Sequence, residues 1–90
     1  MSAIKVEKAT PEKLQALDVE RWGIWECEIS SFEWEYDEKE TCWLYEGRVT
    51  VTTDAGEKVH FGAGDIVVFP KGLKCTWDVN QPVRKRFHFG

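Results

Sequence analysis

Three cysteines are the most reactive side chains of this 90-residue sequence. They are Cys27, Cys42 and Cys75, and none belongs to a Cys-x-x-C pair of the kind that holds zinc or cycles between redox states. Nucleophilic catalysis by Cys75 needs a neighbouring base or cation, and the adjacent Lys74 faces the other way on a strand. The pattern therefore favours three reduced thiols in a reducing compartment.

Two histidines, His60 and His88, are the next candidates for proton transfer. His60 falls in the return strand of a predicted hairpin, where we expect a surface role. His88 alternates with Phe87 and Phe89, so it occupies the opposite face of its strand from both rings. If that face turns inward, His88 lines the interior and becomes a candidate catalytic residue.

Five tryptophans are unusual in a chain of this length. Trp34 and Tyr36 share one face of a predicted strand, and Trp77 shares a face with Cys75. We expect Trp34, Tyr36 and Trp77 to line a cavity, with ordinary core packing as the alternative. A pocket of aromatic rings around one carboxylate suits a small apolar or cationic molecule.

One short helix precedes the strands. Thr10 can cap the first free amides, Pro11 suits the first helical position, and Leu14 and Leu17 lie on one helical face. We therefore predict a two-turn helix that packs on a larger body.

From Trp22 onward the sequence alternates between short strand patterns and turn residues. The predicted strands are closely spaced, and no crossover helices separate them. This pattern excludes a parallel α/β fold and predicts an all-β closed barrel or jelly roll. We expect one domain over residues 1–90, with an N-terminal strand and helix in 1–21 and a core barrel over about 22–89. The predicted strands span 22–29, 32–36, 41–45, 49–52, 58–61, 66–69, 75–79 and 83–89.

The charge balance excludes a nucleic-acid partner. The chain has 12 basic and 16 acidic residues, a net charge of −4, whereas phosphate binding needs clustered Lys and Arg. The one basic cluster, Arg84-Lys85-Arg86, alternates with apolar residues and is interpreted as the solvated face of the last strand.

The apolar runs are too short for a membrane partner. The longest, Ile66 to Phe69, falls far below the roughly 20 residues of a membrane span. The first residues lack the apolar region of a secretory signal, so we expect a cytoplasmic protein.

Two spaced motifs connect the turns to a known family. Gly64 is followed after five residues by Pro70-Lys71-Gly72 and then, after two more, by Cys75. Glu40 is followed after six residues by Gly47. In order and spacing these segments resemble the two signatures of cupins over about 22–89, except that Cys75 replaces a histidine of the family pattern.

A narrower resemblance comes from Trp77-Asp78 and from the segment 82–85. These residues are similar to those of small single-domain cupins related to ureidoglycine aminohydrolase and to the cupin of ethanolamine utilisation. The resemblance implies a single RmlC-like jelly-roll β-barrel with one short N-terminal helix. With the small size of the chain, it also implies a homodimer.

The resemblance makes Glu40 the central candidate residue. Catalytic cupins hold iron, manganese or another divalent metal with three His and one Glu. Here Glu40 alone matches, while the His-x-His positions hold either Glu33 and Glu35 or Trp34 and Tyr36. We therefore predict no cofactor; the alternative is a divalent metal on Glu40 and Cys75, with Glu33 or Glu35, which would favour zinc.

Glu40 itself has two interpretations. Inside an apolar barrel it suits acid–base chemistry, whereas a pairing neighbour such as Arg or Tyr would make it structural.

Three functions remain open. The first is a cupin-domain protein of unknown specific function that binds a small molecule without tightly bound metal. The second is an enzyme resembling ureidoglycine aminohydrolase or sugar epimerases, which uses Glu40 with Cys75 or His88. The third is a structural or interaction module. The residues predicted to bind the ligand are Trp34, Tyr36, Glu40, Cys75 and Trp77.

Overall fold

The computed structural model describes residues 3–90. It contains seven strands, one α-helix and one 3-10 turn. In chain order these are β1 Lys5–Lys8, α1 Pro11–Leu17, the 3-10 turn Val19–Arg21, β2 Gly23–Cys27, β3 Ser30–Glu35, β4 Glu40–Thr53, β5 Lys58–Gly62, β6 Asp65–Phe69 and β7 Lys74–Phe89.

The helix begins and ends for the reasons that its sequence indicates. Thr10 Oγ1 accepts a hydrogen bond from the amide of Lys13 at 3.2 Å, and Pro11 occupies the first turn. The helix ends at Asp18, which adopts the left-handed conformation with φ of 56°. The predicted two-turn helix is thus confirmed.

Two predicted strand breaks are absent. Residues 41–45 and 49–52 belong to one strand, β4, and residues 75–79 and 83–89 belong to one strand, β7. Instead of turning, the β4–β7 ladder shifts register around residues 44–49. A bulge bends a strand without ending it, and its glycine or proline resembles a turn in sequence.

Gly47 is the residue that permits this bend. Its φ is +101°, a conformation that disfavours other residues. A Cβ atom there would lie 2.5 Å from the carbonyl oxygen of Pro82 and 2.8 Å from the Cα of Val83. The backbones of β4 and β7 therefore approach too closely for any side chain at position 47.

The bent strands fold one seven-stranded antiparallel sheet into two layers, each called a sheet below. The first half of β4 pairs with β6 and with the second half of β7, and β1 and β2 form the edges of that sheet. The second half of β4 pairs with β5 and with the first half of β7, beside which lies β3. The arrangement is the all-β jelly roll. Among residues 3–90 no pairing joins β5 to β6 or β2 to β3, so hydrogen bonds do not close the sheet.

The core lies between these sheets and follows strand alternation. Cys42, Leu44, Val49 and Val51 of β4 are buried, and the ring of Trp77 on β7 contacts those of Phe61 and Phe69.

Within residues 3–90 no helix combines the length and apolar character that a membrane span requires.

Candidate functional site

A cavity of about 200 Å³ lies between β2, β3, β4 and β7. Seven of its nine lining residues are aromatic, because alternate positions of several strands face the same space. The lining residues are Trp25, Phe32, Trp34, Tyr36, Glu40, Trp77, Lys85, Phe87 and Phe89.

An ion pair lies in the wall of this cavity. Lys85 Nζ donates a hydrogen bond to Glu40 Oε2 at 2.5 Å. Both side chains are almost completely buried, with exposures of 7% for Lys85 and 5% for Glu40. Glu40 begins β4 and Lys85 lies on the adjacent strand β7, and alternation points both inward.

Aromatic rings surround the buried ammonium group. Lys85 Nζ lies 4.8 Å from the ring centroid of Trp77, 4.9 Å from that of Trp25 and 6.0 Å from that of Phe87. The negative ring faces favour the cation, and their contribution increases when water is excluded. The ammonium thus has one carboxylate and several rings as partners.

Tyr36 and Trp77 form a second polar contact of the cavity. Trp77 Nε1 donates to the hydroxyl oxygen of Tyr36 at 3.1 Å, and the Tyr36 ring stacks on Phe69. Burial, together with the nearby Glu40 charge, raises the pKa of Tyr36 well above its ordinary value. The phenol stays protonated, so its O–H remains a hydrogen-bond donor.

Comparison with known families decides the identity of this fold. A family model described as EutQ-like cupin domain matches residues 14–87. The chain belongs to the EutQ-like cupin family. The predicted cupin resemblance is therefore confirmed for fold and family.

Solved structures agree with this assignment. The crystal structure of a DUF861 family protein from Thermotoga maritima is 54% identical, with a TM-score of 0.95, over 97% of this cupin and 99% of that chain. The EutQ protein of Clostridium difficile is 21% identical, with a TM-score of 0.69, over 96% of this cupin and 66% of that chain. The latter likeness shows the fold alone. Comparison with proteins of curated function found no match.

The cupin brings most of the predicted ligand-binding residues together. Tyr36, Glu40 and Trp77 line the cavity and are buried. Trp34 lines it too, at the solvent side, with 49% of its surface exposed. Their role in binding a ligand remains a prediction.

Cys75 lies opposite Trp34 in the β3–β7 ladder and lines a second pocket with Glu33 and Glu35. It is buried and packs in the core, but it does not line the cavity. Burial, with the negative charges of Asp54 and Glu40, raises its thiol pKa to about 11. A protonated thiol outside the cavity does not suit the predicted metal or catalytic role.

His88 also differs from its predicted placement. It is exposed and stacks on Trp22, with ring centroids 5.9 Å apart. Phe87 and Phe89 line the cavity instead, so the alternation was correct and the face that carries His88 is the outer one. His60 lies on the surface, as expected, with Nδ1 2.9 Å from Thr50 Oγ1.

Sequence reasoning missed five lining residues, of which Lys85 is the only charged one; the other four are Trp25, Phe32, Phe87 and Phe89. The basic cluster at 84–86 was interpreted as a solvated face, yet Lys85 is buried between its two arginine neighbours. The signal was present, because Lys85 shares one face of the strand with Val83 and Phe87. Of the two interpretations of Glu40, the paired one applies, with a lysine in place of an Arg or Tyr.

The residues at the cupin metal position do not fit a divalent metal. Among residues 3–90, no group of three or more His, Cys, Asp or Glu side chains converges as metal ligands. Glu33 and Glu35 are exposed, and Glu40 binds the Lys85 ammonium. A second cation at Glu40 would be repelled by Lys85.

Cys42 gives the first testable prediction. Burial raises the pKa of its thiol to about 12 from an ordinary value of 9.0. Between pH 9.0 and about 12 the unfolded state therefore loses the thiol proton while the folded state keeps it. The stabilisation is complete below this range and falls as pH rises, by at most about 1.4 kcal/mol per pH unit.

Urea denaturation at about pH 8 and about pH 10.5 tests this expectation. The wild type should lose more stability between the two conditions than Cys42→Ala, which lacks the ionising thiol. Equal losses would contradict the proposed origin of the effect.

Proposed function

We propose that this cupin binds a small, neutral, planar molecule in its aromatic cavity without a tightly bound metal. The buried pair of Lys85 and Glu40 is the polar anchor of the site. The observation that supports the proposal is this ion pair in the wall of an aromatic cavity.

The size of the cavity limits the ligand. Apolar cavities of about 150 Å³ accommodate benzene. A volume of about 200 Å³ therefore suits one ring with a single small substituent. Larger molecules would have to extend past Trp34 and Phe89, which are exposed and line the same cavity.

The charges of the site favour a neutral ligand. Lys85 and Glu40 neutralise each other, so an added carboxylate would leave a surplus negative charge in an apolar space. An added cation would compete with the Lys85 ammonium for the faces of Trp25 and Trp77. The cationic ligand that the sequence suggested is therefore replaced by a neutral one.

The available donors favour a ligand with a hydrogen-bond acceptor. The Lys85 ammonium has three N–H groups and gives one to Glu40, and the Tyr36 hydroxyl accepts from Trp77 while keeping its own proton. A carbonyl or amide oxygen can accept from these donors. The ligand class is thus a small aromatic molecule with one neutral acceptor group.

Four ring compounds of similar size test this specificity. Benzamide should bind at least about tenfold more tightly than benzoate or benzylammonium, because either charge disturbs the neutral pair. Toluene should bind more weakly than benzamide, since it leaves the cavity donors without an acceptor. Titration followed by tryptophan fluorescence and by NMR chemical shifts measures the affinities.

Two variants define the origin of the selectivity. Glu40→Leu combined with Lys85→Met should weaken benzamide binding and strengthen toluene binding, because the polar anchor becomes apolar. Tyr45→Phe, outside the cavity lining, should change neither affinity. Tightest binding of a charged probe, or a preference for benzamide that survives in the double variant, would contradict the proposal.

A second candidate, acid–base catalysis, is favoured by the same contact. The Glu40 carboxylate accepts a hydrogen bond directly from the Lys85 ammonium. A hydrogen-bonded acid and base in an enclosed site suit proton transfer. In this reading Glu40 acts with Lys85 rather than with Cys75 or His88. Turnover of a carbonyl compound that Glu40→Gln abolishes would support it.

We further propose that the chain forms a homodimer and is cytoplasmic. Ile24 on β2 and Ile29 beyond its end are 55% and 66% exposed, and such apolar residues are favoured at interfaces. Sedimentation analysis of wild type and of Ile24→Lys with Ile29→Lys tests the dimer, which the double variant should dissociate. Cell fractionation tests the location.

A further inference from the structure

Lys85 differs from all other described lysines in its environment. The other seven lysines within residues 3–90 are exposed, whereas 5% of Lys85 is accessible. Its ammonium touches a carboxylate on one side and aromatic rings on the other. Lysines that react with carbonyl compounds are commonly primary amines in apolar, desolvated surroundings. Lys85 has such surroundings and also lies beside a group that can accept its proton.

We propose that Lys85 forms a reversible imine with a small aromatic aldehyde held in the cavity. The inference rests on the proposed binding function, because the aldehyde must first occupy the same space. It extends that function by assigning a covalent step to one atom, Lys85 Nζ, and a carbonyl substrate class to the cavity.

Glu40 supplies the proton acceptor for this step. Its Oε2 atom lies 2.5 Å from Lys85 Nζ, so the proton moves along an existing hydrogen bond. Transfer converts an ammonium–carboxylate pair into a neutral amine and a carboxylic acid. The step therefore needs no base from outside the cavity.

The bond changes balance without another reactant. The amine lone pair forms an N–C bond to the carbonyl carbon, the C=O π pair moves to oxygen, and a proton passes from nitrogen to that oxygen through Glu40. The Glu40 acid then protonates the hydroxyl, the C–O bond breaks and water leaves. The product is an iminium on Lys85 beside an ionised Glu40, so charge and protons are conserved.

The cavity is complementary to the product as well as to the reactants. The iminium nitrogen retains the positive charge that Glu40 and the faces of Trp25 and Trp77 already stabilise. The aldehyde ring replaces solvent among the aromatic walls. Water leaves a mainly apolar space, which favours condensation over hydrolysis.

Reductive trapping tests the proposal in the wild-type protein. The protein is incubated with benzaldehyde and cyanoborohydride, and peptide mapping by mass spectrometry gives the labelling rate of each lysine. We expect Lys85 to be labelled at least about tenfold faster than the mean of the exposed lysines, because the cavity holds the aldehyde beside it. Excess benzamide should suppress labelling of Lys85 alone.

Variants identify the role of Glu40. In Glu40→Gln, labelling of Lys85 should slow at least about tenfold while the exposed lysines react as before. Lys85→Arg keeps the charge but should remove the fast adduct. Because the rates of all lysines are compared within one wild-type molecule, the test does not depend on either variant folding.

Two results would overturn the inference in distinguishable ways. If benzamide binds but Lys85 is labelled no faster than the exposed lysines, the imine proposal fails and the binding function stands. If benzamide does not bind and Lys85 is not preferentially labelled, both proposals fail.

Discussion

Substitution of Lys85 by methionine is expected to lower the free energy of unfolding by about 3–5 kcal/mol. The variant keeps an unbranched side chain in the cavity wall but leaves the Glu40 carboxylate buried without its cation. A buried charge that loses its partner retains the whole desolvation penalty. Urea denaturation at neutral pH measures the loss.

Two control variants show whether burial is the cause. Lys13→Met breaks the exposed pair with Glu7, whose atoms lie 3.3 Å apart, and should cost less than about 1 kcal/mol. Glu40→Leu combined with Lys85→Met removes both charges and should recover most of the loss. A loss in Lys85→Met as small as that in Lys13→Met would show that the pair is not isolated from water.

Replacement of Gly47 by alanine is expected to destabilise the fold by about 3 kcal/mol or more. The added Cβ would lie 2.5 Å from the Pro82 carbonyl oxygen, and the φ of +101° adds backbone strain. Both strands at this contact are central, because β4 and β7 each belong to both sheets. Thermal and urea denaturation measure the effect.

Gly56→Ala is the matched control. Gly56 also has a positive φ, +87°, but a Cβ there would meet nothing within 4 Å. Its expected cost of about 1–2 kcal/mol reflects the left-handed conformation alone. Equal losses in the two variants would contradict a special role for the close approach at Gly47.

The sequence predicted the fold class because strand alternation is local. The inward positions of β4 follow from a period of two, and the helix start follows from Thr10 and Pro11. The connections between strand segments were harder to predict. A bulge at Gly47 and a hairpin turn have the same glycine, and only the partner strand distinguishes them.

The site was predicted in part for the same reason. Alternation and the cupin motifs placed Tyr36, Glu40 and Trp77 on inner faces, where the structure has them. Whether an inward-facing residue lines a cavity or packs against other core side chains depends on the opposite sheet. Cys75 therefore faces inward yet lies outside the cavity lining.

Lys85 was assigned to the surface because two flanking arginines make the segment 84–86 resemble an exposed face. Lys85 instead shares the inner face of β7 with Val83 and Phe87. His88, for which an inward position was one of two possibilities, shares the outer face with the two arginines. Charge composition outweighed parity in the prediction, and parity was the better guide.

NMR of the lysine ammonium groups tests the central claim most directly. One ammonium resonance, from Lys85, should exchange slowly with water and be shifted by the rings of Trp25 and Trp77. Benzamide should move this resonance and leave those of the exposed lysines unchanged. A spectrum in which every ammonium exchanges rapidly, or in which benzamide moves none of them, would contradict a buried Lys85–Glu40 anchor in a ligand cavity.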